Sequence, residues 1–297
     1  MTVASTNLLD IQPTDGVSLF NKENKKVWEI SLKRRKNFLE QYSEFILPEY
    51  IEGFYSLNFD VAKIPTLEQL NKSLKPTGWQ VVHVDGYMHQ NDYTKLLSQK
   101  ISPVSRYMRS LAHLHYAPGP DMLHDIFGHL PMLFSPSYSD YISSLGKVME
   151  GVEANADENE LYQLHLKLAK SHEFLGASHP QTIYIEDKIK AVEHNIEISP
   201  NKYTILGRFF MWTIEFGILK NGNKFQMFGA GLLSSENESE DFCKGKATVI
   251  PFTHAATKMG YNFSDFQKQY YFSNSFNELK AELKNLEQSF YKLSCSS

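Results

Sequence analysis

The sequence predicts a mainly α protein of the α+β class, with a few short strands. Apolar residues recur at helical spacing from Val27 to Ile46, from Glu158 to Phe174 and from Gln181 to Ile196. Only two short runs, residues 79–84 and Phe225 to Phe228, have strand composition. A chain of 297 residues that is 42% hydrophobic is long enough for one large core. Residues 1–20 are polar, with Pro13, Asp15 and Gly16, and are expected to be a flexible lead-in, leaving residues 21–297 as a single domain.

The first helix should carry Trp28, Leu32, Phe38, Leu39, Tyr42 and Phe45 on its inner side. The run Lys33-Arg34-Arg35-Lys36 then reads as a solvated face, with no nucleic-acid role. A second helix, Thr66 to Leu74, is bracketed by Pro65 and by Pro76 and Gly78. Trp-Gln-Val-Val-His-Val at 79–84 is rich in β-branched residues and predicts a strand, as does Phe225 to Phe228. Residues 153–199 hold two helical stretches separated by Gly176, Ser178 and Pro180, which predicts a helical hairpin. The remaining chain is expected to be mostly helical.

A formal net charge of -4 gives no basic excess for nucleic acid. Cys243 and Cys295 are too few for a disulfide framework and lack metal-ligand spacing. Met1 to Gly16 lacks the charged start and apolar stretch of a secretory signal, and no run of about 18 apolar residues could span a membrane. A soluble, cytoplasmic protein is expected.

Two segments carry chemistry. Residues 120–129 read Pro-Asp-Met-Leu-His-Asp-Ile-Phe-Gly-His, and residues 209–217 read Phe-Phe-Met-Trp-Thr-Ile-Glu-Phe-Gly. Glu215 has apolar neighbours on nearly every side, and a buried carboxylate must neutralise, pair or bind a cation. His124, His129 and Glu215 would supply two nitrogens and one oxygen, the facial set of non-haem Fe(II) enzymes that activate dioxygen, with zinc as the competing metal. Five residues of regular helix rotate about 500°, which leaves the two histidines roughly 140° apart. One histidine must therefore sit at a helix end or distortion, which Gly128 or the Pro120 start would permit.

Around these residues, the run from Thr77 to Tyr271 resembles the catalytic domain of the pterin-dependent aromatic amino acid hydroxylases, the family of phenylalanine, tyrosine and tryptophan hydroxylases. The resemblance rests on Thr77-Gly78-Trp79, Tyr116 through Pro131, Trp212 through Gly217, Gly229 through Ser235, and Asp265-Phe266-Gln267 leading to Tyr270-Tyr271. It implies that family's catalytic-domain fold over residues 21–297, with 153–199 as an inserted hairpin expected to serve surface packing or subunit contact rather than to cap the site. It also implies a monooxygenase that uses Fe(II), O2 and tetrahydrobiopterin or a related reduced pterin on an aromatic amino acid, here L-phenylalanine to L-tyrosine, as in the family's bacterial phenylalanine-hydroxylating branch.

By the same resemblance His124, His129 and Glu215 bind iron, and Tyr93 and Asp125 stand at the pterin. Arg109 matches an arginine that holds the substrate carboxylate. Ser234 matches a residue that helps hold substrate and orders a ligand histidine. The chain departs from the family at Ala117 and Gly119, which lack a hydroxyl and a carboxylate, at Met211 in place of a tryptophan, and at Lys268 and Phe272. Met211 and Phe272 are therefore expected to reshape the substrate pocket. Other readings stay open at this level: the same chemistry on tryptophan or another ring position, a zinc hydrolase, or a non-catalytic metal-stabilised regulator. Whether the protein is a monomer or a homo-oligomer is likewise open.

Overall fold

The computed structural model describes residues 20–86, 88–114, 121–261 and 266–294. The expected lead-in, apart from residue 20, lies outside them, as do Ala117, Gly119, Asp265 and Cys295.

Helix α1 (Lys22–Gln41) begins at a reciprocal cap in which the Asn21 side chain accepts from the Asn24 amide and Asn24 answers in kind. Its buried stripe is Val27, Trp28, Leu32, Arg35, Phe38 and Leu39. The solvated-face reading of the basic run is therefore wrong at Arg35, which is only 3% exposed. Spacings of four, three and four residues along Trp28, Leu32, Arg35 and Leu39 put the arginine on the apolar stripe whatever its charge. Arg34 instead forms an ion pair with Glu236.

Helices α2 (Pro48–Ser56) and α3 (Leu67–Leu74) follow, the latter opened by a Thr66–Gln69 capping box. Strand β1 (Gln80–Val84) pairs in parallel with β2 (Ile101–Ser105), and the crossover is helix α4 (Gln90–Ser98). Short α5 (Met122–His124) runs into a π-helical turn at 125–129 and a 3-10 segment, then α6 (Pro136–Met149). The hairpin forms as expected from α7 (Ala156–Leu175) and α8 (Pro180–Ile198). Helix α9 (Lys202–Phe210) continues into a second π turn at 211–215.

Strands β3 (Ile218–Asn221), β4 (Lys224–Met227), β5 (Thr248–Pro251) and β6 (Gln269–Ser273) form a four-stranded sheet in the order β4-β3-β6-β5, antiparallel only between β3 and β4. Helices α10 (Ala230–Ser234) and α11 (Glu236–Cys243) follow β4, and α12 (Phe276–Ser294) closes the chain. The remainder is mostly helical as expected, and β2, β3, β5 and β6 are strands that were not individually expected. These are runs of four or five residues, and β2 is buried along nearly its whole length, so no alternation marks it.

One apolar cluster runs from Val27 to Phe290 and includes Trp28, Trp79, Tyr141, Phe209 and Leu232. A second belongs to the hairpin alone: Leu164, Ile185, Ile189, Val192 and Ile196. The hairpin is tied to α9 by Glu158, which accepts from the Thr204 hydroxyl and the Asn201 amide, and by the Glu197–Arg208 ion pair. No helix among the described residues is long and apolar enough to cross a membrane.

Candidate active site

Two helix distortions build the centre of the site. Asp121 caps α5, its Oδ1 accepting from the His124 amide at 3.0 Å. The π turn at 125–129 then accommodates an extra residue, replacing the roughly 140° separation of a regular helix and bringing His124 and His129 to one side. Their rings lie 5.1 Å apart at 77°. The Phe127 carbonyl inside the turn accepts from the Tyr50 phenol at 2.5 Å. Gly128 is required by packing: a Cβ there would lie 2.7 Å from the Ala230 carbonyl oxygen.

The second π turn delivers Glu215. Its closing bond runs from the Phe216 amide to the Met211 carbonyl, five residues back. Thr213 donates to the Phe209 carbonyl at 2.8 Å and accepts from the Tyr141 phenol. Beside it, Gly231 leaves room for the carboxylate, since a Cβ would stand 3.1 Å from Glu215 Oε2.

The three side chains converge. His124 Nε2 lies 3.5 Å from Glu215 Oε2, and His129 Nε2 lies 3.2 Å from Oε1. One donor atom from each falls within 4.8 Å of the others, the one such group among the described residues. Burial opposes charge on Glu215, but the two imidazoles prevail and hold its carboxyl below the usual range. Burial drives His124 down to about 4. For His129 burial acts in the same direction, but the Glu215 carboxylate outweighs it and the net shift is upward.

Ser234 fixes the tautomer of His124. The serine hydroxyl donates to the Gly231 carbonyl at 3.1 Å, so its 2.8 Å contact with His124 Nδ1 has the ring N–H as donor. The lone pair of His124 is then on Nε2, facing Glu215, as a metal ligand requires. A buried carboxylate and an imidazole oriented by a hydroxyl suit a divalent cation of intermediate softness, and the N,N,O set fits Fe(II).

Ser234 also lines a cleft, with Ser31, Arg35, Arg109, Leu123 and Phe127 among its other walls. Arg109 is buried and held at both ends of one edge by Asp121: Nε to Oδ2 at 2.8 Å and Nη2 to Oδ1 at 2.7 Å. Its own amide also donates to Asp121 Oδ2. Asp121 thus holds Arg109 and the helix of His124 together. Its role was not anticipated from sequence, although an Asp directly before an apolar helical run is an N-cap signal.

The structure brings Tyr93 to the site. Its half-buried ring packs edge-on to Phe210 at 5.5 Å and lies 6.4 Å from the His129 ring. Asp125 is buried, with Oδ2 accepting from the Ser105 amide at 2.7 Å, which ties the first π turn to β2. Burial raises its carboxyl to about 7. Met211 opens the second π turn and packs partly buried on the core. Phe272 is not brought to this group: its ring meets Phe225 at 5.0 Å and the Lys220 ammonium at 5.4 Å, on the sheet. The alternation of β6 sends it to the face opposite Tyr271, which packs on Trp212.

Two imidazoles and a carboxylate converging from two π turns, beside an arginine-lined cleft, define a metalloprotein of mainly helical fold. The family model of biopterin-dependent aromatic amino acid hydroxylases matches residues 12–177 and 172–294, and the chain belongs to that family. In sequence it is 27% identical over 272 residues to phenylalanine-4-hydroxylase of Chromobacterium violaceum, covering 90% of this chain and 74% of that protein. It is 26% identical to a chloroplastic phenylalanine 4-monooxygenase of Pinus taeda over 92% of this chain, and spans 64% of that relative's length. A crystal structure of the Chromobacterium violaceum enzyme with bound iron(III) and oxidised 7,8-dihydrobiopterin is similar with a TM-score of 0.70 and 25% identity, over 95% of this chain and 86% of that one. The phenylalanine hydroxylase of Legionella pneumophila shares the fold at a TM-score of 0.67, covering 92% of each chain.

Proposed function

We propose that the protein is an Fe(II)- and tetrahydropterin-dependent monooxygenase that converts L-phenylalanine to L-tyrosine. The observation that carries this reading is the position of Ser234, which touches the His124 ring on one side and lines the Arg109 cleft on the other. Metal centre and amino acid cleft are thereby contiguous. The relatives named above are phenylalanine hydroxylases, which supports the choice of ring.

Residues His124, His129 and Glu215 would hold iron through Nε2, Nε2 and carboxylate oxygen, and Tyr93 would offer its ring face to the pterin. When bound, iron and reduced pterin supply the two-electron activation of dioxygen that places one oxygen atom on an aromatic ring. The remaining work belongs to the chain. Three donors converging from one side would hold the iron and leave its far side open to O2 beside the substrate cleft. Ser234 keeps the His124 Nδ1 proton in place, so the ligand nitrogen stays deprotonated. Asp121 immobilises the Arg109 guanidinium, so that binding the substrate carboxylate costs little further ordering. Leu123 and Phe127 give the cleft apolar walls against which a phenyl ring desolvates.

Asp125, pinned to β2, would set the acidic side of the pterin site, and Met211 would border the ring pocket. We place the protein in the cytoplasm, in keeping with the half-buried free thiol of Cys243. The test is mass-spectrometric product analysis after incubation with Fe(II), reduced pterin, O2 and a mixture of phenylalanine, tyrosine and tryptophan. Tyrosine formed from labelled phenylalanine is expected. Exclusive formation of a hydroxytryptophan would replace the substrate, and turnover with zinc alone would replace the reaction class.

A further inference from the structure

Three arginines, Arg34, Arg35 and Arg109, reach the cleft that Ser234 lines. Two have carboxylate partners: Arg34 pairs with Glu236 and Arg109 with Asp121. Among the described residues Arg35 has none. Its Nε and Nη1 are buried with no hydrogen-bond partner among those residues, and its guanidinium lies over the face of Phe38 at 5.2 Å. Leaving such donors buried and unsatisfied is costly, most of all on a charged group. The local balance of three guanidinium groups against two carboxylates leaves one positive charge, matched by a single monoanion.

Arg109 alone cannot grip a carboxylate through its Nε edge. That edge is taken by Asp121, which leaves Nη1 as the nitrogen with no acceptor on Asp121. A planar carboxylate has two oxygens and takes two parallel N–H donors. Arg109 keeps its Nη1–Nη2 end for such a group, and Arg35, on the same cleft with unsatisfied donors, adds a second cation beside it. Resting on the amino acid substrate proposed above, we propose that Arg35 is a second carboxylate-binding residue, forming with Arg109 a two-arginine clamp for the carboxylate of the amino acid. Arg35 is thus a specificity-determining residue that favours ring compounds bearing a carboxylate over neutral or cationic analogues.

The test measures equilibrium binding to the anaerobic Fe(II) protein by titration calorimetry with three probes: L-phenylalanine, 3-phenylpropionate, which lacks the amine, and phenethylamine, which lacks the carboxylate. In Arg35→Leu the first two should weaken by about tenfold or more, the order of one charged hydrogen bond, while phenethylamine stays within about twofold. Arg35→Lys should recover part of the loss. Thermal unfolding supplies an independent readout. Removing an uncompensated buried charge should leave Tm unchanged or raise it, whereas an arginine with a purely structural role would lower it. Unchanged carboxylate binding in Arg35→Leu, or equal weakening of all three probes, overturns the proposal even if the parent hydroxylates phenylalanine. If the parent makes no tyrosine yet binds 3-phenylpropionate through Arg35, the clamp stands and the phenylalanine reading falls.

Discussion

Asp121 clamps Arg109 through two side-chain hydrogen bonds of 2.8 and 2.7 Å, while the same carboxylate caps the helix that presents His124. One buried side chain therefore positions both the cation of the cleft and a donor of the metal centre. Movement at either end is felt at the other, because the four acceptor positions of one carboxylate are shared among three amide or guanidinium partners and the cap.

Asp121→Asn tests this coupling. Breaking a buried ion pair by removing one charge costs about 3–5 kcal/mol, because the remaining guanidinium is stranded. A loss of that order in urea-denaturation stability is expected, together with a rise in KM for the amino acid. Arg109→Lys should weaken amino acid use by roughly 2 kcal/mol while sparing the pterin KM, since an ammonium cannot keep two parallel bonds to Asp121 and still reach substrate. A pterin KM that rises in step with the amino acid KM would place Arg109 elsewhere in the reaction.

One Fe(II) per chain is expected in anaerobic titration. His124→Ala, His129→Ala and Glu215→Ala should each abolish O2-dependent turnover with little change in far-UV circular dichroism. Wild-type iron stoichiometry in any of the three would remove that residue from the ligand set.

Ser234→Ala leaves His124 Nδ1 without its acceptor. Loss of an outer hydrogen bond to a ligand histidine costs roughly 10–100-fold in metal affinity, measurable by competition with a chelator. An unchanged affinity would mean that the ring is oriented by packing alone.

Gly128→Ala should destabilise the protein by about 1–3 kcal/mol, the usual penalty of overpacking, because the added methyl meets the Ala230 carbonyl at 2.7 Å. The observable is the urea midpoint at constant slope. A midpoint equal to that of the parent would show that α10 can withdraw from the first π turn.

Met211 and Phe272, paired as pocket residues in the sequence reading, now carry different expectations. Met211→Trp should raise the ratio of kcat/KM for phenylalanine over tryptophan, since a rigid indole penalises the wrong shape more than a flexible thioether does. Phe272→Ala should leave that ratio unchanged, its ring being spent on Phe225 and Lys220. Movement of the ratio by Phe272 and not by Met211 would reverse the assignment.

The sequence by itself determined the helical frame, the helical hairpin, the family and the group His124, His129 and Glu215. These follow from local patterns: periodicity of 3.6, breaks at Pro65, Pro76 and Gly78, and two apolar runs interrupted by His124, His129 and Glu215. Tertiary structure decided how those residues meet. Helical geometry alone set the histidines apart, and only packing against Tyr50, Ala230 and Tyr141 shows where the π turns lie. The four missed strands are runs of only four or five residues, too short to show a period, so their identity is fixed by their pairing partners. Arg35 marks the boundary between the two kinds of information. Its spacing from Trp28 and Leu32 placed it on the buried stripe, but its charge argued for solvent, and only the fold, by setting Arg109 and Ser234 on the same cleft, gives a buried cation something to do.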